Sequence, residues 1–310
     1  MLPTLRKLLW PFLLVIVPSA YCQTPPWAPE FRYGTSYAFE QMTATRQVND
    51  KFDHGRITLV ANIYRPVKND AQKVVLFSHD STGGWVRSPK ESIPAPPPAV
   101  LEFFIAQGFT IVAPMRRGVG FSTGTYREEC PLSAGQCTVG ENTSVSIAGL
   151  QEAIKDTDAV IDQIILKKLR PRNSQILLAG ISRGGFLSII MAARRPALAL
   201  GVLNFVGGWL SISDVFPASE NTARSKFQEE HLNAAGKSMR EIPTLWLYAS
   251  RDIFYTEAVT RQFFKTFTAA GGRGEYVFVQ EHALANGHQI ATLLRHWQAP
   301  VNQLLTQLSH

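Results

Sequence analysis

The chain has 310 residues, 45% hydrophobic and 18% charged, which is enough apolar residue to bury a full core and excludes a disordered chain. Its formal charge is +7, but the Lys and Arg residues are scattered and no basic run is interleaved with aromatics, so nucleic-acid binding is not expected and the excess reads as a solvated surface. One domain is the natural reading, with no internal repeat and no biased segment beyond a proline cluster.

Arg6 and Lys7 precede an apolar run from Leu8 to Val17, followed by Ser19, Ala20 and a polar stretch from Gln23. This pattern predicts a secretory signal peptide over residues 1–22, cleaved near Cys22, and a single domain over 23–310. The apolar run is too short to span about 30 Å of hydrocarbon and contains Pro11, so no stable membrane insertion is expected once the signal is removed. A lipoprotein reading of Cys22 meets the bulky Tyr21 just before it. Loss of the segment lowers the charge by two and leaves Cys130 and Cys137; two cysteines in an oxidising compartment predict one disulfide, stapling a short loop.

From Arg56 to Pro66 apolar and polar residues nearly alternate, as in an early antiparallel strand, and Lys68-Asn69-Asp70 supplies a turn. Lys73 to Ser78 is apolar on both faces, a buried strand, and runs into the small-residue loop His79-Asp80-Ser81-Thr82-Gly83-Gly84. After the prolines at 94–98, a helix over Ala99 to Gln107 stops at Gly108, and Thr110 to Ala113 forms the next strand. Glu141 to Lys168 reads as one long amphipathic helix. Asn142-Thr143-Ser144 at its start matches a glycosylation acceptor and also a helix cap.

The strand Ile176 to Ala179 then enters Gly180-Ile181-Ser182-Arg183-Gly184, the pattern G-x-S-x-G, and a helix-compatible run follows from Phe186 to Ala193. Glycine on either side of the serine removes side chains that would collide in a cramped strand-to-helix elbow, leaving the Ser182 hydroxyl exposed above the sheet. The bare pattern arises by chance in roughly one chain in ten of this length, so its setting carries the weight. Further strands are expected at Leu200 to Val206, Thr244 to Tyr248 and Tyr276 to Val279, separated by helices. The segment 209–243 is polar and helix-prone, long enough for a small cap or excursion but not a second domain. The whole predicts an α/β fold with a mostly parallel central sheet flanked by helices and a small cap or none.

A serine hydroxyl is a poor nucleophile unless a base takes its proton and a carboxylate orients that base. Behind an elbow the expected order is Ser, Asp, His. Asp252 follows the strand TLWLY and His288 precedes the last helix in Asn286-Gly287-His288-Gln289, so the predicted triad is Ser182, Asp252 and His288. Asp214 is the alternative acid and His282 the alternative base. The oxyanion that forms on carbonyl attack needs main-chain donors, predicted at Arg183 and Ser81. Trp209, Phe254 and Tyr255 are candidates for the wall of an acyl pocket. The chemistry calls for no metal and no cofactor.

Four segments, LFSHDSTGG, APMRRGVGFSTG, GISRGG and LWLYASRD with GHQ, resemble the α/β-hydrolase superfamily, and more narrowly the secreted serine members of the dienelactone-hydrolase-like group; NFVGGW is similar to a family strand as well. The resemblance spans about Arg56 to Leu308 and implies the α/β-hydrolase fold and ester hydrolysis generally. Two departures stand out. Family members usually have Gly after the oxyanion-loop His, where this chain has Asp80, whose carboxylate would oppose a developing negative charge if turned inward. Dienelactone hydrolases proper use a cysteine nucleophile, and this chain has Ser182. The expected substrate is a small-molecule ester or a short peptide. The expected activity is that of a secreted or periplasmic serine esterase, against a compact serine peptidase or amidase, or a non-catalytic binding protein on the same fold.

Overall fold

The computed structural model describes residues 37–50, 52–82, 93–130, 137–214, 216–280 and 285–308. The predicted signal segment 1–22, Gly83, Gly84 and the alternative base His282 lie outside the described residues. Strand β1 (Tyr37–Asn49) has no counterpart among the sequence-predicted elements; it is an edge strand with most positions solvated, so its apolar alternation is weak. It pairs along its full length with β2 (His54–Pro66), antiparallel, and β2 continues antiparallel to the rest of the sheet.

The following strands are short and buried on both faces, as parallel strands under helices must be. They are β3 (Lys73–Ser78), β4 (Phe109–Pro114), β5 (Ile176–Ile181), β6 (Ala199–Phe205), β7 (Pro243–Ala249) and β8 (Arg273–Val279), the last half-buried at the far edge. The eight-stranded sheet has the order β1-β2-β4-β3-β5-β6-β7-β8 and is parallel from β4 onward.

Helix α1 (Pro98–Ala106) shares one face of the sheet with the last helix of the chain, through Trp297, whose ring lies 5.2 Å from that of Phe103 and 5.4 Å from that of Phe205 on β6. All three rings are buried, and truncating such a tryptophan to alanine costs about 3–5 kcal/mol. On the other face lie α2 (Val139–Val160), α3 (Arg183–Arg194), α4 (Ala218–Ser238) and α5 (Glu257–Ala269), packed in succession, and α6 (Leu294–Gln307) closes the chain.

Two sequence expectations are corrected here. The long helix predicted over 141–168 begins at Val139 and loosens into π-helical turns over Ile161–Leu169, ending at Arg170 in the left-handed region. Its cap is Thr138, paired with Glu141 in a reciprocal capping box, while Asn142 sits inside the helix. The segment 209–243 is an excursion, as the sequence allowed: it is the crossover between parallel strands β6 and β7, with α4 alongside α3 and α5 in the helix layer. Among the described residues no helix is long and apolar enough to cross a membrane.

Register decides where chemistry can gather. Ser78 pairs with Gly180, Ile181 with Phe205, and Ala249 with Val279, so β3, β5, β7 and β8 all end at one edge of the sheet. His79 to Ser81, Ser182, Asp252 and His288 each follow one of these ends.

Candidate active site

Ser182 is the single residue between β5 and α3, at φ 54° and ψ −121°, a backbone conformation that costs a non-glycine residue about 1–3 kcal/mol and is held by its surroundings. Its amide donates to the Phe205 carbonyl at 2.9 Å and its carbonyl accepts from Phe186 at 3.0 Å and from Gly208 at 3.2 Å. The flanking glycines are needed for space. A Cβ on Gly180 would run into the Gly184 backbone, and one on Gly184 would run into the carbonyls of Ser78 and His79. The motif thus packs the first turn of α3 directly against the end of β3, which carries the small-residue loop.

Asp252 follows β7, and its side chain is buried. One oxygen accepts from the amides of Phe254 (2.8 Å) and Tyr255 (3.2 Å), which leaves the other to accept from His288 Nδ1 at 2.8 Å. With a carboxylate on Nδ1 the proton sits there, and Nε2 keeps the lone pair. His288 is placed by Asn286, whose side chain accepts from the His288 amide at 3.0 Å, and by Gly287, where any Cβ would strike the Ser250 carbonyl. Its ring lies between Phe254, edge-on at 4.6 Å, and Tyr255 at 6.0 Å. The alternative acid Asp214 is exposed and makes no contact with His288 among the described residues.

The loop after β3 is clamped from behind. Arg116 donates to the carbonyls of His79 (2.9 Å) and Asp80 (2.9 Å), and pairs with Glu128 through Nε and through Nη2 at 2.9 Å. Burial, with Arg116 beside it, holds the His79 imidazole well below its ordinary range, so it stays neutral and donates from Nδ1 to the Asp80 carbonyl at 2.7 Å. The Ser81 hydroxyl donates to Glu129. Glu129 in turn pairs with the Arg183 guanidinium at 2.9 Å, whose other donors go to the carbonyls of Trp209 and Glu128. Burial works against the charge of Arg183, but Glu129, Tyr126 and Glu128 outweigh it and hold its pKa above the ordinary value. The main-chain amides of Ser81 and Arg183 have no acceptor among the described residues.

Ser182, His288, Ser81 and Arg183 line one cavity of about 200 Å³, walled by Trp209, Phe254 and Tyr255. The Tyr255 phenol stands beside the Ser182 side chain; burial drives its pKa up, so it remains a neutral hydroxyl. Asp80 is at the mouth, reaching solvent on one side, and the packed wall raises its carboxyl above the usual range while His288, Arg116 and Arg183 pull the other way. Cys130 and Cys137 form a disulfide next to Glu128 and Glu129. The sequence reading missed the side chains of Arg116, Glu128, Glu129, Arg183 and Arg224. They come from the β4–α2 connection, α3 and α4, and the one local signal was the Arg116-Arg117 pair inside APMRRGVGFSTG.

No family model matches the sequence, and no curated protein matches it. Solved structures do. An esterase of Pyrococcus furiosus superposes at TM-score 0.56 with 16% identity over 89% of this chain and 92% of its own. The α/β-hydrolase fold is therefore present. An acylaminoacyl peptidase of Pyrococcus horikoshii shares this α/β-hydrolase architecture at TM-score 0.55 and 13% identity, over 88% of this chain but 41% of its own. A Klebsiella pneumoniae protein assigned as a dienelactone hydrolase follows at 0.52 and 15%, over 86% and 99%.

Proposed function

We propose that the protein is a serine hydrolase that cleaves carboxylic esters through an acyl-enzyme on Ser182. The observation that carries this reading is the strained Ser182 elbow opening into the same cavity as the Asp252–His288 pair. His288 Nε2 takes the serine proton as Oγ attacks the carbonyl carbon, Asp252 stabilises the imidazolium, and the amides of Arg183 and Ser81 receive the oxyanion. The imidazolium then protonates the leaving alcohol, and a water activated the same way releases the acid. A cavity of about 200 Å³ suits a small acyl group. The disulfide and the basic, then apolar, N-terminal stretch support a secreted or periplasmic location.

A compact peptidase or amidase is the second reading, supported by the peptidase among the similar structures. Turnover of a graded p-nitrophenyl ester series by the chain lacking residues 1–22, beside a peptide-anilide panel and Ser182→Ala, tests both. Ester turnover lost in the variant supports the first reading. Anilide turnover alone supports the second. Ligand binding without any turnover leaves a non-catalytic binding protein.

A further inference from the structure

The cavity has a second charged end. Arg224, on α4, is buried at 2% exposure and lines it with Asn142 from α2, away from the elements that carry Ser182, Asp252 and His288. Its Nε is shared between Thr143 (3.1 Å) and Glu220 (3.2 Å), Nη1 donates to the Ser211 carbonyl at 3.0 Å, and Nη2 to Thr143 at 2.8 Å. A guanidinium has five N–H groups, so one on each terminal nitrogen is left without an acceptor among the described residues. Asn142 adds to the same side of the balance: its carbonyl oxygen is taken by the Cys130 amide at 3.1 Å, which turns its NH₂ to the other side, where it too has no acceptor. The guanidinium lies over the Phe216 ring at 3.7 Å, which fixes its plane.

The two arginines of the cavity differ. Arg183 pairs with Glu129 at 2.9 Å and lies 3.8 Å from Glu128, which is shared with Arg116, whereas Arg224 has Glu220 alone, a carboxylate that also accepts from Thr143. Burial accordingly lowers the pKa of Arg224 while that of Arg183 is raised. What this end of the cavity lacks among the described residues is an acceptor for the two free guanidinium N–H groups and the Asn142 NH₂. A dianionic phosphate would face Glu129 and Asp80 in the same cavity, and a monoanionic carboxylate matches a guanidinium edge directly.

Resting on the proposed hydrolase reading, we infer that the natural substrate is an ester bearing a carboxylate remote from the scissile carbonyl, held by Arg224 and Asn142. The test pairs mono-p-nitrophenyl esters of glutarate, adipate and pimelate, each corrected for spontaneous hydrolysis, with neutral esters of equal length. The expected result is a kcat/KM for at least one anionic ester above its neutral partner by on the order of tenfold to a hundredfold, the usual worth of a charge-assisted hydrogen bond. Arg224→Met collapses that ratio, Arg224→Lys keeps part of it, and Asn142→Ala lowers it. Monomethyl adipate, titrated calorimetrically into Ser182→Ala, binds while dimethyl adipate does not, which reads the site without turnover and without altering Arg224. Neutral esters preferred throughout, or equal binding of the two methyl adipates, overturns the inference even with esterase activity established. Selective binding of monomethyl adipate by a protein that hydrolyses nothing leaves the carboxylate site standing and removes the hydrolase reading instead.

Discussion

Arg116 donates to the main-chain carbonyl of His79 at 2.9 Å from a position where its own charge is matched by Glu128, so a buried ion pair holds the loop that carries the Ser81 amide. A main-chain donor is useful to an oxyanion only if it is fixed before the charge appears, and a displacement of about 1 Å in such a site costs about a hundredfold in rate.

Arg116→Gln should therefore lower kcat by about tenfold to a hundredfold with little change in KM, because the loop moves while the cavity walls stay. It also leaves Glu128 buried beside a weaker partner, Arg183 at 3.8 Å, and should destabilise the fold by about 3–5 kcal/mol. Steady-state kinetics and urea unfolding separate the two effects. Unchanged kcat in a folded variant would disconnect the ion pair from the site.

Asp252→Asn should reduce kcat by about 10⁴-fold while leaving the fold intact. The amide can still accept from Phe254 and Tyr255, but a carboxamide NH₂ facing His288 forces the imidazole into the tautomer that presents N–H, not a lone pair, to Ser182. Single-turnover kinetics on an activated ester checks this. The same loss in Asp214→Asn is not expected.

Asp80 has a carboxyl whose pKa is raised by burial, so folding is favoured by its neutral form. That contribution is fully present below the ordinary aspartate value of about 3.9 and is lost as pH rises through the folded pKa. Asp80→Asn should accordingly be the more stable protein at neutral pH, modestly because the side chain reaches solvent, with the advantage shrinking as pH falls toward that value. The variant should also turn over faster above the folded pKa of Asp80, where the native side chain adds a negative charge to the lining of the cavity. Thermal melts and kcat across pH 4–8, about the accessible range for a carboxylate of this kind, decide both.

Reducing the Cys130–Cys137 disulfide, or replacing both cysteines by serine, should cost about 2–3 kcal/mol for a loop this short. Activity should fall with it, since Cys130 directly follows Glu128 and Glu129, the partners of Arg116 and Arg183. Loss of stability with full activity would show the staple to be remote from the site.

How much of this was legible in the sequence follows from how local each signal is. The Ser182 elbow is written in five consecutive residues because only glycines fit beside that backbone, and the Asp252–His288 contact was legible because Asp252 follows a plainly apolar strand and His288 opens the turn before the last helix. The fold class came from the same strands. Strand β1 was missed because an edge strand facing solvent carries little periodicity, and the π-helical turns after Val160 keep a helix-like pattern of apolar residues. The buried network around Arg116, Glu128, Glu129 and Arg183 was illegible because its pairs form only when the β4–α2 connection folds back on itself and against the start of α3; in sequence its members look like ordinary surface charges. Asp80, read as a departure from a family pattern, lies at the cavity mouth, as its place in the loop implied.

The most direct test of the central claim is intact-protein and peptide mass spectrometry after exposure of the chain lacking residues 1–22 to a fluorophosphonate. The account predicts one adduct, on Ser182, absent from Ser182→Ala and formed far more slowly in His288→Ala. A folded protein that takes no adduct, or takes it on another residue, would contradict it.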